Sequence, residues 1–175
     1  MSKTGTTKWN IDAAHSEISF KVKHMMISTV TGQFEDFMAS VGTDNEGFIG
    51  ADFNFTAKTA SITTKNGDRD KHLRSDDFFN AEQFPELTFT SKSFDGSSLI
   101  GDLTIRNVIR EIKLDVDFNG VVVDPYGQTK AGFEMSGSIN RKDFNLAWSA
   151  ITETGSIVVS DTVKLAISVQ FIKEN

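Results

Sequence analysis

Alternation of apolar and polar residues dominates this chain and predicts β-strands. In EIKLDVDF, at 111–118, every second residue is apolar and the residues between are charged. The same period of two recurs in EISFKVKH at 17–24, DFNFTA at 52–57, LTFTSKSF at 87–94, KAGFEMSGSI at 130–139 and TVKLAISVQFIK at 162–173. This pattern is typical of antiparallel strands that have one buried and one exposed face.

Turn signals separate these segments, among them DNEG at 44–47, FDGSS at 94–98 and DPYG at 124–127. We therefore predict an all-β fold of about eight antiparallel strands, with a closed barrel or a two-layer sandwich as candidates. The strands at 110–123 and 160–173 are expected to be long, which favours a tall barrel. A barrel of about eight strands is either filled by side chains or holds one small ligand.

Helix is expected mainly at 67–80, which contains the charged stretch RDKHLRSDDFFN at 69–80. Asn66 or Asp68 is suited to cap a first turn, and Ser75 to begin a second one. Within the helix, the i, i+4 spacing predicts that Asp68 pairs with His72, and that Asp70 pairs with Arg74 in the same way.

The end of this stretch is predicted to bury apolar surface. Phe78 and Phe79 follow the charges directly, and burying one such ring contributes about 1.5–3 kcal/mol, more than a helical ion pair. We predict that the phenylalanines dock the segment over one end of the barrel as a plug or lid.

Composition narrows the function. The chain has 175 residues, no cysteine, a net charge of −6 and 15 phenylalanines, so we expect a single domain at 9–173 after a flexible tail at 1–8. The negative charge and the lack of a basic stripe argue against nucleic-acid binding.

No apolar run is long enough to span a membrane, and no signal peptide is recognisable, so the expected location is cytoplasmic. A homodimer would be compatible with long strands that leave edges to cover.

Motifs for catalysis or cofactor binding are missing. The three histidines, His15, His24 and His72, lack the spacing that places two imidazoles on one metal. The chain has no G-x-S-x-G elbow and neither of the common glycine-rich phosphate loops. We therefore expect no catalytic residue, no metal and no cofactor.

Several motifs carry a family resemblance. WNIDAAHSEISFKVKHM at 9–25, TGQF at 31–34, RDKHLRSDDFFNAEQFPELTFTS at 69–91, GDLTIRNV at 101–108 and INRKDFNL at 139–146 occur in that order. Together they resemble the YceI-like family over nearly the whole chain. The resemblance implies a lipocalin-like barrel whose elongated pocket binds polyisoprenoids, isoprenoid quinones or related amphiphiles. Asn107, Ile109 and Asn145 depart from the family pattern, which usually has Gly, Thr and Gly there, and many relatives carry a secretion signal.

The inward faces of the strands, the histidine at the end of the first strand and the paired phenylalanines supply the predicted ligand-binding residues. They are Phe20, Val22, His24, Met25, Met26, Phe34, Phe53, Phe55, Phe78, Phe79, Phe89, Leu103, Ile105, Ile112, Leu114, Val116, Phe133, Met135, Leu165 and Ile167. Rings offer smooth walls and thioethers adapt to shape. For a polar head group the candidates are His24, Arg69, His72 and Arg106.

Three hypotheses stay open at the level of sequence. The first is a carrier or store for an isoprenoid-type lipid. The second is an enzyme acting on such a lipid, or a hydrolase that uses His24 or His72. The third is a stress-related protein-interaction module with a solid core, because each inward residue is equally suited to core packing.

Overall fold

A computed structural model describes residues 6–148 and 159–174, and the fold within them is an antiparallel β-barrel with one α-helix. The helix, α1, spans Gly67–Arg74. The strands are β1 (Thr7–Ile11), β2 (Glu17–His24), β3 (Ser28–Phe34), β4 (Phe37–Thr43), β5 (Asp52–Lys58), β6 (Ile62–Thr63), β7 (Glu86–Phe94), β8 (Ser98–Ile105), β9 (Val108–Val123), β10 (Thr129–Asn140) and β11 (Val159–Lys173). Residues 1–5 of the predicted tail lie outside the described residues, and Thr7 and Lys8 already belong to β1.

These segments form eight barrel strands, because two of the strands are bent into halves. β1 and β2 are separated by a single 3₁₀ turn at Ala13–His15, and together they run along β11. β3 and β4 form the next bent strand, which pairs with β2 and β1 in turn. Among the described strands, the short β6 pairs with β3 alone. The predicted eight-stranded antiparallel barrel is therefore confirmed.

The two long strands are also confirmed. β9 has 16 residues and β11 has 15. Both give the barrel its height, and β10 pairs with both along most of its length.

One end of the barrel, which we call the closed end, is filled by the rings of Trp9, Phe48, Phe118 and Phe133, which we call the aromatic plug. Phe48 enters from the β4–β5 connection and is fully buried, with its ring centroid 5.1 Å from that of Trp9 and 5.2 Å from that of Phe133. Phe118 and Phe133 stack at 5.0 Å. Part of the high phenylalanine content therefore serves ordinary core packing.

The bend between β1 and β2 is anchored by charged groups. The Asp12 carboxylate accepts a hydrogen bond from Lys130 at 3.0 Å and lies 2.8 Å from His15 Nδ1. Lys130 also lies 3.5 Å from Asp124. Burial raises the pKa of Asp12, but the hydrogen bonds and charges of Lys130 and His15 outweigh it and hold the pKa below its usual value. This cluster ties the bent strand to the hairpin between β9 and β10.

Helix α1 is shorter than predicted. The Asn66 side chain caps it by accepting a hydrogen bond from the Arg69 N–H at 3.0 Å. Of the two predicted caps, Asn66 and Asp68, the first is therefore confirmed. The helix ends at Arg74, and the Ser75 carbonyl accepts from the Phe78 and Asn80 N–H groups in successive turns. The second helical start predicted at Ser75 is therefore wrong, because its backbone closes turns instead.

The ion pairs predicted along α1 are also wrong, because Asp70 and His72 contact other residues outside the helix. Asp70 is buried and accepts from the Thr64 N–H at 2.8 Å. His72 Nε2 lies 2.9 Å from the Asp77 carboxylate in the turn that follows. Both contacts fasten the helix to its neighbouring segments.

Candidate functional site

A cavity of about 510 Å³ occupies the half of the barrel opposite the aromatic plug, and we call that end the open end. Its walls are the inward faces of the strands, and α1 and the segment at 146–148 lie across its mouth. The size falls within the range of about 300–1,000 Å³ typical of small-molecule pockets. The interior is therefore divided between a packed half and a hollow half.

Most of the residues predicted to contact a ligand line this cavity. They are Phe20, Val22, His24, Phe34, Phe53, Phe55, Phe78, Phe79, Phe89, Leu103, Ile105, Ile112, Leu114, Met135, Leu165 and Ile167. Alternation predicted the inward face for those that lie on strands, whereas Phe78 and Phe79 lie in the turns after α1.

Four of the predicted residues do not line the cavity. Met25 and Met26 lie in the turn between β2 and β3 at positive φ, 51° and 59°, where the chain leaves the sheet, and Met26 is 64 % exposed. Val116 and Phe133 face inward but are buried at 5 % and 1 % exposure outside the cavity wall. Phe133 stacks on Phe118 in the aromatic plug, where the barrel is already full.

Other wall residues were missed by the sequence prediction. Alternation alone marks some of them, namely Ile18, Ile139, Val163, Val169 and Phe171. Leu146 and Trp148 follow the last 3₁₀ turn in an irregular segment, so no periodic signal identifies them.

Aromatic side chains lie across the mouth of the cavity. The Trp148 ring lies 4.8 Å from His72 and 5.5 Å from Phe78, and His72 and Phe78 are 5.1 Å apart. Phe79 packs edge-on against Phe34 of β3 at 5.7 Å. We call α1 with Phe78, Phe79 and Trp148 the lid; the docking role predicted for the two phenylalanines agrees with this position.

Arg106 holds the lid from outside. Its Nη1 donates to the carbonyl of Asp76 at 2.6 Å and to that of Phe78 at 2.5 Å. Its guanidinium also lies over the Phe84 ring at 5.6 Å. Arg106 does not line the cavity, so its predicted contact with a head group is corrected to a structural role.

Arg141 fastens the Trp148 side of the lid. Its guanidinium is buried and donates to the carbonyls of Leu146, Trp148 and Ser160. Burial lowers the pKa of Arg141, and Asp161, 3.6 Å away, offsets part of that effect. One buried cation thus joins the segment at 146–148 to the start of β11.

The charged side chains and histidines that border the cavity lie towards its mouth. His24 ends β2, while Asp68, Arg69 and His72 face the cavity from α1. Arg69 is largely occupied, because its Nε and Nη2 donate to the hydroxyl and carbonyl of Thr64 at 2.7 and 2.9 Å. The arrangement suits a ligand with a long apolar part and a polar group at the mouth.

Among residues 6–148 and 159–174, no three histidine, aspartate or glutamate side chains gather in a way that would hold a metal ion. No helix in that part of the chain is long and apolar enough to cross a membrane.

Comparison with known proteins matches residues 9–171 to the YceI-like domain. The chain belongs to the YceI-like family. Two curated YceI-like relatives are both described as UPF0312 proteins. One from Staphylococcus epidermidis is 39% identical over 97% of this chain and 99% of its own. Another from Staphylococcus aureus is 38% identical over 94% of this chain and 97% of its own.

Solved structures agree with this assignment. A Campylobacter jejuni YceI protein superposes with a TM-score of 0.73 at 37% identity, over 94% of this chain and 96% of that one. BcnA of Burkholderia cenocepacia reaches 0.78 at 22% identity, covering 91% and 98% of the two chains. A Saccharophagus degradans domain described as polyisoprenoid-binding reaches 0.71 at 15% identity, covering 95% and 98%. The last two likenesses show the fold alone.

The departures from the YceI-like sequence pattern have a backbone explanation. Asn107 and Asn145 adopt positive φ values of 61° and 60°, in a hairpin turn and at the end of a 3₁₀ turn. Glycine adopts this region without strain, and asparagine is among the residues that tolerate it best. Asparagine therefore suits both turns.

Proposed function

We propose that this protein binds a long-chain apolar or amphiphilic lipid of the polyisoprenoid or isoprenoid-quinone type inside its barrel, for storage or transport. The observation that carries the proposal is the cavity of about 510 Å³ with an almost wholly apolar wall. Transfer of apolar groups out of water contributes about 0.8 kcal/mol per CH₂. A few isoprene units then suffice for tight binding without any hydrogen bond.

The composition of the wall supports a branched, flexible chain as ligand. Rings such as Phe20, Phe55 and Phe89 share the wall with aliphatic side chains, so it offers apolar contact rather than directional polar contacts. The related fold described as polyisoprenoid-binding supports the same ligand class. A hollow half-barrel also argues against the solid-core hypothesis.

The polar rim sets the direction of the ligand. The apolar chain runs towards the aromatic plug, and the head group stays near His24, Asp68 and His72 at the mouth. This orientation avoids burying the ligand's own polar group without a partner at the closed end, which would cost about 1–3 kcal/mol.

The test is mass spectrometry of the purified protein in two steps. Organic extraction followed by lipid analysis should reveal a retained long-chain lipid. The delipidated protein, given the C20 prenyl alcohol geranylgeraniol, should show a one-to-one complex by native mass spectrometry. Protein that retains no lipid and takes up neither geranylgeraniol nor a prenylated quinone would overturn the proposal.

A further inference from the structure

The turn between β2 and β3 exposes large apolar side chains beside the mouth of the cavity. Ile27 is 82 % exposed and Met26 is 64 % exposed. The Ile27 N–H donates to the His24 carbonyl at 3.2 Å, and the Ser28 hydroxyl donates to the same oxygen at 3.4 Å. Since His24 itself lines the cavity, this apolar tip is held at the rim of the mouth.

Lysines cover the outer wall next to this tip. Lys21 of β2 lies directly opposite Lys164 of β11, and Lys23 follows on the same exposed face. Like charges opposite each other on a sheet are destabilising. The hairpin from Ile18 to Phe34 contains no acidic residue that would offset them. The structure thus concentrates positive charge beside exposed apolar residues.

The same wall is acidic towards the closed end. Glu134 of β10 lies opposite Asp117 of β9, and Glu17 of β2 and Asp115 of β9 are exposed on the same outer face. On this wall, charge is therefore separated along the barrel axis, with the lysines nearer the open end, although the whole chain carries −6.

We propose that the open end docks on a lipid bilayer that contains anionic lipids. Met26 and Ile27 enter the interfacial layer of the bilayer, while Lys21, Lys23 and Lys164 face its head groups. Ile109, 58 % exposed in the hairpin between β8 and β9, adds a second apolar contact beside Arg110 at this end. The cavity mouth then faces the membrane.

Exposed apolar residues also occur at the closed end, but their surroundings do not suit an anionic surface. Val122 is 63 % exposed and Tyr126 is 90 % exposed. Asp44 and Glu46 of the β4–β5 connection are exposed at the same end, and Asp117 is exposed on the preceding stretch of β9. Repulsion between these carboxylates and anionic head groups opposes docking by this end, and Val122 provides a matched control for Met26.

This inference rests on the proposed function only for its purpose, which is exchange of the bound lipid with a membrane. Docking itself needs no occupied cavity. It is therefore measured with delipidated protein, and uptake of geranylgeraniol from solution is measured separately on the same variants.

The experiment is flotation with two kinds of vesicle, one of phosphatidylcholine and one of phosphatidylcholine and phosphatidylglycerol in equal amounts. The wild-type protein should float with the anionic vesicles, and added salt should weaken binding. Replacing both Met26 and Ile27 by serine should weaken binding about tenfold or more. Lys21→Gln and Lys23→Gln should each weaken it about fivefold, and Val122→Ser should leave it unchanged.

Three results would overturn the proposal: no binding to anionic vesicles, equal binding to both kinds of vesicle, or a larger loss from Val122→Ser than from the Met26 and Ile27 change. Geranylgeraniol uptake that persists in each of these cases would leave the lipid-binding function standing. Vesicle binding without any uptake of geranylgeraniol would support membrane docking and contradict the proposed lipid binding. Unchanged circular dichroism and thermal unfolding establish that each variant is folded.

Discussion

The ring of Phe20 lies against the backbone of Gly32 on the neighbouring strand. A Cβ atom added to Gly32 would come within 2.4 Å of Phe20 Cζ and 2.9 Å of Cε1. Phe20 and Gly32 are direct partners in the β2–β3 pair, and the Phe20 ring forms part of the cavity wall. The missing side chain at Gly32 therefore keeps the ring flat against the sheet and the cavity wide.

Gly32→Ala should narrow the cavity. The added methyl group displaces the Phe20 ring, and the free space that receives it is the cavity. The volume lost is worth about one buried CH₂ group or slightly more, so geranylgeraniol should bind about fivefold more weakly in a titration followed by native mass spectrometry. Gly42→Ala on β4 is the control, because its nearest neighbour, a Thr6 methyl, is at 3.4 Å. Equal effects of the two changes would contradict this role of Gly32.

Arg141→Met should destabilise the protein strongly. It leaves the carbonyls of Leu146, Trp148 and Ser160 without their donor, and such losses cost about 1–3 kcal/mol for each buried group. We expect a decrease of about 3 kcal/mol or more in the free energy of unfolding, measured by urea denaturation. Lys142→Met is the control, because the one side-chain contact of Lys142 with the described residues is an exposed ion pair with Asp161 at 3.4 Å, worth about 0–1 kcal/mol. Similar losses in both variants would refute the claim that buried Arg141 fastens this segment.

Arg106→Gln should loosen the lid without changing the cavity wall. The change removes the donors to the Asp76 and Phe78 carbonyls, and hydrogen bonds of a charged group contribute about 1.5–3 kcal/mol. We expect dissociation of a bound prenyl probe to accelerate about tenfold in a stopped-flow competition measurement. Arg110→Gln should not alter the rate, because Arg110 Nη1 bonds only the neighbouring Ile109 carbonyl among the described residues. An unchanged rate in the Arg106 variant would mean that the lid is not rate-limiting.

Acid should weaken the anchor at the bend between β1 and β2. The folded state lowers the pKa of Asp12, and also that of Asp124, chiefly through the Gln128 N–H. Their contribution to stability is therefore complete above the unfolded pKa of about 4 and is lost as the pH falls through the lower folded values. Asp12→Asn should lower stability at pH 7 and flatten the decline below pH 4, measured by denaturation at a series of pH values. Asp115→Asn serves as the exposed control, and a decline as steep in Asp12→Asn as in the wild type would contradict this assignment.

Sequence patterns predicted the barrel well because period-two alternation reports directly which face of a strand is buried. The inward positions predicted at 112–118 of β9 and at 163–171 of β11 therefore agree with the burial in the structure. The division of the interior was not predictable, because Phe133 in the plug and Phe55 in the cavity wall have the same alternating context. That division depends on Phe48, which enters the barrel from a loop.

The lid was only partly predictable for a similar reason. The Asn66 cap and the docking of Phe78 and Phe79 follow local rules of helix ends and apolar burial. The buried Arg141 holds Trp148 by donating to its backbone carbonyl. A sequence gives no periodic signal for such a contact. The same holds for Arg106, whose partners lie about thirty residues away.

The most direct test of lipid binding inside the barrel compares two neighbouring positions of β11 that face opposite sides of the wall. Leu165 lines the cavity, whereas Ala166 is exposed on the outer surface. Leu165→Trp fills the cavity with a ring, and Ala166→Trp adds the same ring outside. Titrated with geranylgeraniol and followed by native mass spectrometry, the Ala166 variant should form the one-to-one complex like the wild type, and the Leu165 variant should lose it. Equal binding by the two folded variants would contradict a ligand site inside the barrel.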